Sequence, residues 1–95
     1  MKHFSWNAEK NEILKRERGV SFEAVVFHIE QGDLLDILEH SNPSRYPGQR
    51  IFIVRIDGYA YLVPFVENAE EAFLKTIIPS RKATATYLRS EENDG

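Results

Sequence analysis

Apolar and polar positions change period once along the chain, dividing it into a helical part and a strand-rich part. From Ser21 onward, Phe22, Val25, Val26 and Ile29 stand at i, i+3, i+4 and i+7, one face of a 3.6-residue helix. Ser21 is placed to cap that helix and Gly32 to end it. Upstream, Ala8–Arg18 is rich in helix formers, with Asn7 as its cap and Gly19 as a left-handed end. Its apolar stripe is narrow, Ile13 and Leu14 alone. Only Gly19 and Val20 separate the two helices, which predicts a tight helical hairpin. Before them, Phe4 and Trp6 alternate with His3 and Ser5, so residues 2–6 read as a short strand.

Beyond Gly32 the period falls to two. Residues 33–39 read as a strand, and 41–48 as a loop, from the Asn42-Pro43 and Pro47-Gly48 turn chemistry. Gln49–Ile56 and residues 59–66 flank Asp57-Gly58, a strong two-residue hairpin signal. That hairpin sets Ile56 opposite Tyr59, Val54 opposite Tyr61, Phe52 opposite Val63 and Arg50 opposite Phe65. Pro64 has no amide donor, which predicts a bulge or an edge position. Residues 67–71 form a turn and 72–78 a fourth strand. Pro79-Ser80 then breaks the pattern, with Ser80 as cap for a helix over residues 81–89. The predicted class is α+β: a short first strand, a two-helix hairpin, an antiparallel four-strand meander and a short C-terminal helix, with the helices on one face of the sheet.

The chain has 95 residues, room for one domain over residues 1–90, followed by an acidic tail at 91–95 that is expected to be mobile. An apolar fraction of 42% is too high for a disordered chain. The longest apolar run, residues 59–66, is interrupted by Pro64 and too short to cross a bilayer. The first ten residues carry no apolar core of a secretory signal, so a cytoplasmic location with no membrane contact is expected. With no cysteine there is no disulfide, thiol nucleophile or thiolate metal site. His3, His28 and His40 lack metal-ligand spacing, and no nucleotide-binding or hydrolase fingerprint is present, so no metal or cofactor is expected.

Net charge is −3, which the tail acids Glu91, Glu92 and Asp94 supply by themselves. Residues 40–56 hold Arg45, Arg50 and Arg55 with no acid, and residues 72–90 hold Lys75, Arg81, Lys82 and Arg89, again with no acid. Acids gather instead at Glu30, Asp33, Asp36 and Glu39, and at Glu67, Glu70 and Glu71. Two acid-free basic stretches in a neutral body permit an anionic partner such as RNA, although a pI of about 5.6 is below that of strongly basic nucleic-acid binders. A solvated surface with charges sorted by chance explains the same composition.

Four segments occur in a familiar order: Phe4-Ser5-Trp6-Asn7-Ala8-Glu9-Lys10-Asn11, Arg18-Gly19-Val20-Ser21-Phe22-Glu23, Gln49-Arg50-Ile51-Phe52 and Ile77-Ile78-Pro79-Ser80-Arg81-Lys82-Ala83. Together they resemble BrnT-like toxins over positions 4 to 83. The resemblance implies a RelE-like fold, a metal-independent endoribonuclease activity and a cognate antitoxin partner that neutralises it. Arg50 and Arg81 fall on that family's two recurring arginine positions. Arg18 stands where the family carries histidine, Asn7 where it carries aspartate, and Pro79-Ser80 where it carries Ser-Ala.

Cleaving RNA by attack of a 2′-hydroxyl on its own phosphate requires a proton acceptor, cations for the charge building on phosphorus, and a proton donor for the leaving 5′-oxygen. Arg50 and Arg81 suit the cationic role, because a guanidinium cannot surrender its proton at working pH, and the nuclease reading requires both to meet a lysine or tyrosine around one groove. Lys75 and Tyr87 are candidates for proton transfer. Arg45, Arg55, Tyr61 and Lys82 are candidates for holding RNA, the tyrosine by stacking on a base. Each has a plainer explanation: Arg50 as a strand-end residue, Arg81 paired to an acid, Tyr61 as a cross-strand partner of Val54, Tyr87 docking the last helix. A non-catalytic protein- or RNA-interaction module of the same fold is the alternative to the enzyme.

Overall fold

A computed structural model of the chain describes residues 3–89; the acidic tail lies outside the described residues. The elements run β1 (His3–Trp6), α1 (Ala8–Arg18), α2 (Phe22–Glu30), β2 (Leu34–Glu39), β3 (Gln49–Ile56), β4 (Tyr59–Glu67), β5 (Glu71–Leu74), β6 (Ile78–Pro79), α3 (Arg81–Thr84) and a π-helical turn over Ala85–Arg89. The class is mixed α+β. All three predicted caps bond as expected: Asn7 accepts from the Lys10 amide, Ser21 from Ala24 and Ser80 from Ala83. Gly19 closes α1 at φ +66°, where its own N–H bonds the Lys15 carbonyl. Buried Asn11 joins the two helices. Its Oδ1 accepts the Phe22 N–H at 2.8 Å and its Nδ2 donates to Glu23 Oε1 at 2.8 Å, so neither polar atom of this buried side chain lacks a partner.

The sheet order is β1-β5-β4-β3-β2, and β6 also pairs with β4. The β3–β4 register has the four pairs that the hairpin predicts, including Arg50 opposite Phe65. Asp57 and Gly58 both take positive φ, +52° and +77°, the signature of a type I′ turn. Pro64 is a correction. It sits in regular register opposite Ile51 inside an interior strand, neither bulged nor at an edge. Alternation aims its main chain away from β3, and its carbonyl accepts the Lys75 N–H at 2.8 Å. On that side Pro64 has no donor to offer, and here the predicted fourth strand breaks into β5 and β6.

Two further expectations change. β2 to β5 pair in succession as the antiparallel four-strand meander expected, but β1 does more than precede the helices: it joins that sheet in parallel with β5, from His3–Glu71 to Trp6–Leu74. The helices also lie on both faces. One core holds Leu14, Val20, Phe22 and Val25 of the helical hairpin against Phe52, Val54, Ile56, Val63 and Phe65. The other holds Ile53 and Ala60 against Ala83 and Leu88. Residues 53 and 54 of one strand enter different cores, so α1–α2 and α3 sit on opposite sides of the sheet. Ala60 gives α3 its seat. Its N–H donates to Thr84 Oγ1 at 2.9 Å and its carbonyl accepts the Ser80 N–H at 3.0 Å.

The turn is open to test at Gly58, where an added Cβ meets nothing within 4 Å, so the cost of a side chain there is conformational. Gly58→Ala should lose about 1–2 kcal/mol in urea denaturation, and Gly58→Asn should lose less, because asparagine tolerates the left-handed region.

Candidate functional site

The hairpin register sorts the candidate residues by face. Arg50 shares the α1–α2 side with Phe52, and its guanidinium lies 5.4 Å from the centre of the Phe65 ring. Its Nη2 donates to Glu67 Oε1, one same-face step beyond Phe65 on the neighbouring strand. Tyr61 is on the same side, packed against that core and edge-on to Tyr59. Arg81 and Lys82 open α3 on the other side. The expected meeting of Arg50 and Arg81 in one cleft is therefore not formed: the sheet stands between them.

Arg55 is also engaged by a carboxylate. Its Nε and Nη2 donate to Asp33 Oδ1 at 3.2 and 2.9 Å, while Asp33 Oδ2 lies 2.8 Å from His28 Nδ1. The His28 contact and then the Arg55 guanidinium hold the Asp33 carboxyl below the usual carboxylate range. This cluster fastens the end of α2 to the start of β2 and to β3. Arg55, a candidate for holding RNA, is thus paired with a carboxylate of the chain itself.

The α3 side has a different character. Lys75, Arg81 and Lys82 are exposed, and none of them has an ion pair among the described residues. Lys75 follows β5 opposite Pro64, which by alternation is the face away from Arg50. Lys82 and Tyr87 line a groove of about 500 Å³ whose floor is Leu38, Ile51, Ile53 and Leu62. Glu39 is the carboxylate among its lining residues, and Ser41 its contribution from the following loop. β2 is an edge strand, and Ile37 and Leu38 on it are 41% and 39% exposed.

Tyr87 donates to Asp36 Oδ2 at 2.6 Å. That bond, with some burial, pushes the phenol above its ordinary value, while the same bond and the Ile37 amide draw Asp36 down. The phenol proton of Tyr87, a candidate for proton transfer, is thus bonded to Asp36.

One cluster was missed from sequence. In the loop between β2 and β3, the His40 and Tyr46 rings lie 4.2 Å apart and the Arg45 guanidinium is 5.8 Å from the Tyr46 ring centre. The two aromatics flanking Asn42-Pro43 are the signal for it in a segment whose turn residues predict only a loop. Among the described residues no group of three His, Cys, Asp or Glu side chains is placed to hold a metal ion, and no helix is long and apolar enough to cross a membrane. No protein-family model, curated protein or solved structure matches the chain.

The Tyr87–Asp36 bond has a sign that titration reads. Raising a phenol's folded pKa above its unfolded value of about 10 adds stability that is complete below that value and lost as pH climbs through the folded one. Depressing a carboxyl adds stability that is present above about 4 and lost as pH falls through the folded pKa. Tyr87→Phe should therefore flatten the alkaline fall in unfolding midpoint. It should also return Asp36 upward toward the ordinary carboxylate range, followed by carboxyl carbon chemical shifts.

Proposed function

We propose that the chain is the toxin-type member of a toxin–antitoxin pair, of RelE-like arrangement, that engages RNA through the α3 side of its sheet and is neutralised by a partner protein seated in the adjoining groove. The observation that carries this reading is the contrast in charge pairing. Arg50 and Arg55 are matched by Glu67 and Asp33, whereas Lys75, Arg81 and Lys82, all from the acid-free C-terminal stretch, have no ion pair among the described residues. Three cations with no acidic partner there, on one side of a neutral body, suit a phosphate backbone. The order of segments that resembles BrnT-like toxins supports it further, as does the sequence of elements: strand, helical hairpin, antiparallel strands, closing helix.

In the cleaving form of this reading, the substrate's own 2′-hydroxyl attacks the adjacent phosphate. Arg81 and Lys82 stabilise the charge that builds on its oxygens. Arg50 has no part in it. The non-catalytic form is favoured by one observation, the engagement of the Tyr87 hydroxyl by Asp36. In that form the same cations bind RNA and leave it whole.

Expression of the chain without a partner, together with incubation of the purified protein with total RNA, separates these. The cleaving form predicts growth arrest and RNA fragments, both reduced roughly 100-fold in the Arg81→Ala/Lys82→Ala double variant. Both should persist in Arg50→Ala/Glu67→Ala, which removes the matched pair together. Intact RNA with salt-dependent binding, its slope falling by about 0.7 per cation removed, identifies the non-catalytic form. Activity that needs Arg50 and ignores Arg81 and Lys82 overturns the assignment of the surface.

A further inference from the structure

The loop joining β2 to β3 is ordered by its own polar groups. Asn42 Oδ1 accepts from Ser44 Oγ at 3.1 Å and from the Arg45 N–H at 3.3 Å. The Asn42 carbonyl accepts the Tyr46 N–H at 3.0 Å, and the Tyr46 carbonyl accepts the Gln49 N–H at 3.2 Å. His40 Nδ1 accepts the Asn42 N–H at 3.0 Å, so the proton of the neutral ring is on Nε2. This bonding holds the two rings together, yet neither belongs to a core. Tyr46 is 39% exposed, and both hydrophobic clusters are built without it. Held at the surface, the Tyr46 ring has the His40 ring against it and the Arg45 guanidinium over it. That cation sits where a planar group can rest on the ring, and residues 40–56 contain no acid to hold it elsewhere. The loop also adjoins the cationic side, because its Ser41 lines the same groove as Lys82.

We propose that residues 40–48 form a base-stacking site for single-stranded RNA, in which an unpaired base takes the place of the Arg45 guanidinium over the Tyr46 ring, with His40 still against that ring and Arg45 moved to the neighbouring phosphate. The inference rests on the RNA-directed reading of the α3 side and adds to it the form of the substrate. A duplex keeps its bases stacked inside and cannot offer one to a surface ring, whereas a single strand can, and its backbone then continues toward Lys82. Stacking is tolerant of base identity, so the site selects strandedness more than sequence.

The test is fluorescence anisotropy with a labelled twelve-nucleotide RNA, 2′-O-methylated so that cleavage plays no part, at low salt. Tyr46→Leu keeps bulk and removes the ring. It should weaken binding about 5- to 150-fold, the range for losing one base–aromatic stack, while Tyr46→Phe binds as the parent does. Circular dichroism and thermal melting confirm that the variants fold; an unfolded Tyr46→Leu is replaced by the abasic scan. Moving a single abasic nucleotide along the RNA should reveal a position where loss of the base costs the parent the same factor, and where Tyr46→Leu loses nothing more. A duplex of the same sequence should compete poorly, and a single-stranded DNA arm reads whether the sugar matters. Parent protein that binds through Arg81 and Lys82 with no effect of Tyr46→Leu and no sensitive abasic position overturns the stacking site and leaves the RNA-directed reading intact. Parent protein that binds no single strand overturns both.

Discussion

The turn at Asp57-Gly58 is the constraint on which the rest of the molecule depends. Two consecutive positive φ values commit β3 and β4 to a two-residue connection, and that connection admits one register. Register in turn fixes parity. Phe52, Val54, Ile56, Val63 and Phe65 face the helical hairpin, while Ile53 and Ala60 face α3. Because both faces are apolar, a one-residue slip would still bury hydrophobic groups, but it would exchange the large face for the small one. Ala60 would then no longer lie under α3, and its two main-chain groups would lose Ser80 and Thr84 as partners. The same parity puts Arg50 and Arg81 on different sides, so the turn decides the functional geometry as well as the packing.

Pro64 is the second determinant, and it acts through a bond it cannot make. A strand pairing continuously with β4 would meet a missing donor at that position. The chain leaves the ladder after Leu74, rejoins it for Ile78 and Pro79, and then turns over the sheet into α3. In the interval Ile77 is fully buried, and its carbonyl accepts from the Arg18 guanidinium at the end of α1. The departure from the ladder is thus fastened to the helical hairpin, while the segment from Ser80 onward is carried to the opposite face. One imino acid inside a strand therefore has a direct bearing on where Arg81, Lys82 and Tyr87 end up.

What could be read from the sequence was local. Caps, the hairpin and its register depend on residues within a few positions of one another, and Asn7, Ser21, Ser80 and Asp57-Gly58 behave accordingly. What could not be read was long-range. The parallel pairing of β1 with β5 joins residues 68 positions apart, with no pattern in either segment to announce it. The face chosen by α3 was hidden because β3 and β4 are apolar on both sides, so alternation alone offered no dry side and wet side to choose between. The pairing of Arg50 is nearer to hand: once it stands opposite Phe65, the next same-face residue on β4 is Glu67, but the apolar pattern ends at Val66 and predicts Glu67 in the turn. The strand runs one residue further than the pattern suggested, and that residue is the one that engages the arginine.

Charge pairing therefore distinguishes two kinds of cation more sharply than position in the sequence does. Arg50 and Arg55 belong to strands whose neighbours carry acids, and each bond they make holds a strand end in place. Lys75, Arg81 and Lys82 come from a stretch with no acid, and the acids that cluster on and just before β2 are partly used, Asp36 by Tyr87 and Asp33 by Arg55 and His28. The groove beside Lys82 is apolar along its floor, so a ligand that fills it gains from hydrophobic burial, and a ligand that only follows the cations does not. A partner protein and an RNA would accordingly recognise adjacent features by different forces, one dependent on buried apolar area and the other on salt. Since Lys82 lines the groove as well as belonging to the unmatched set, a protein lodged there would cover part of the anionic ligand's path. On the proposed reading, neutralisation needs only this overlap, without any change in the fold.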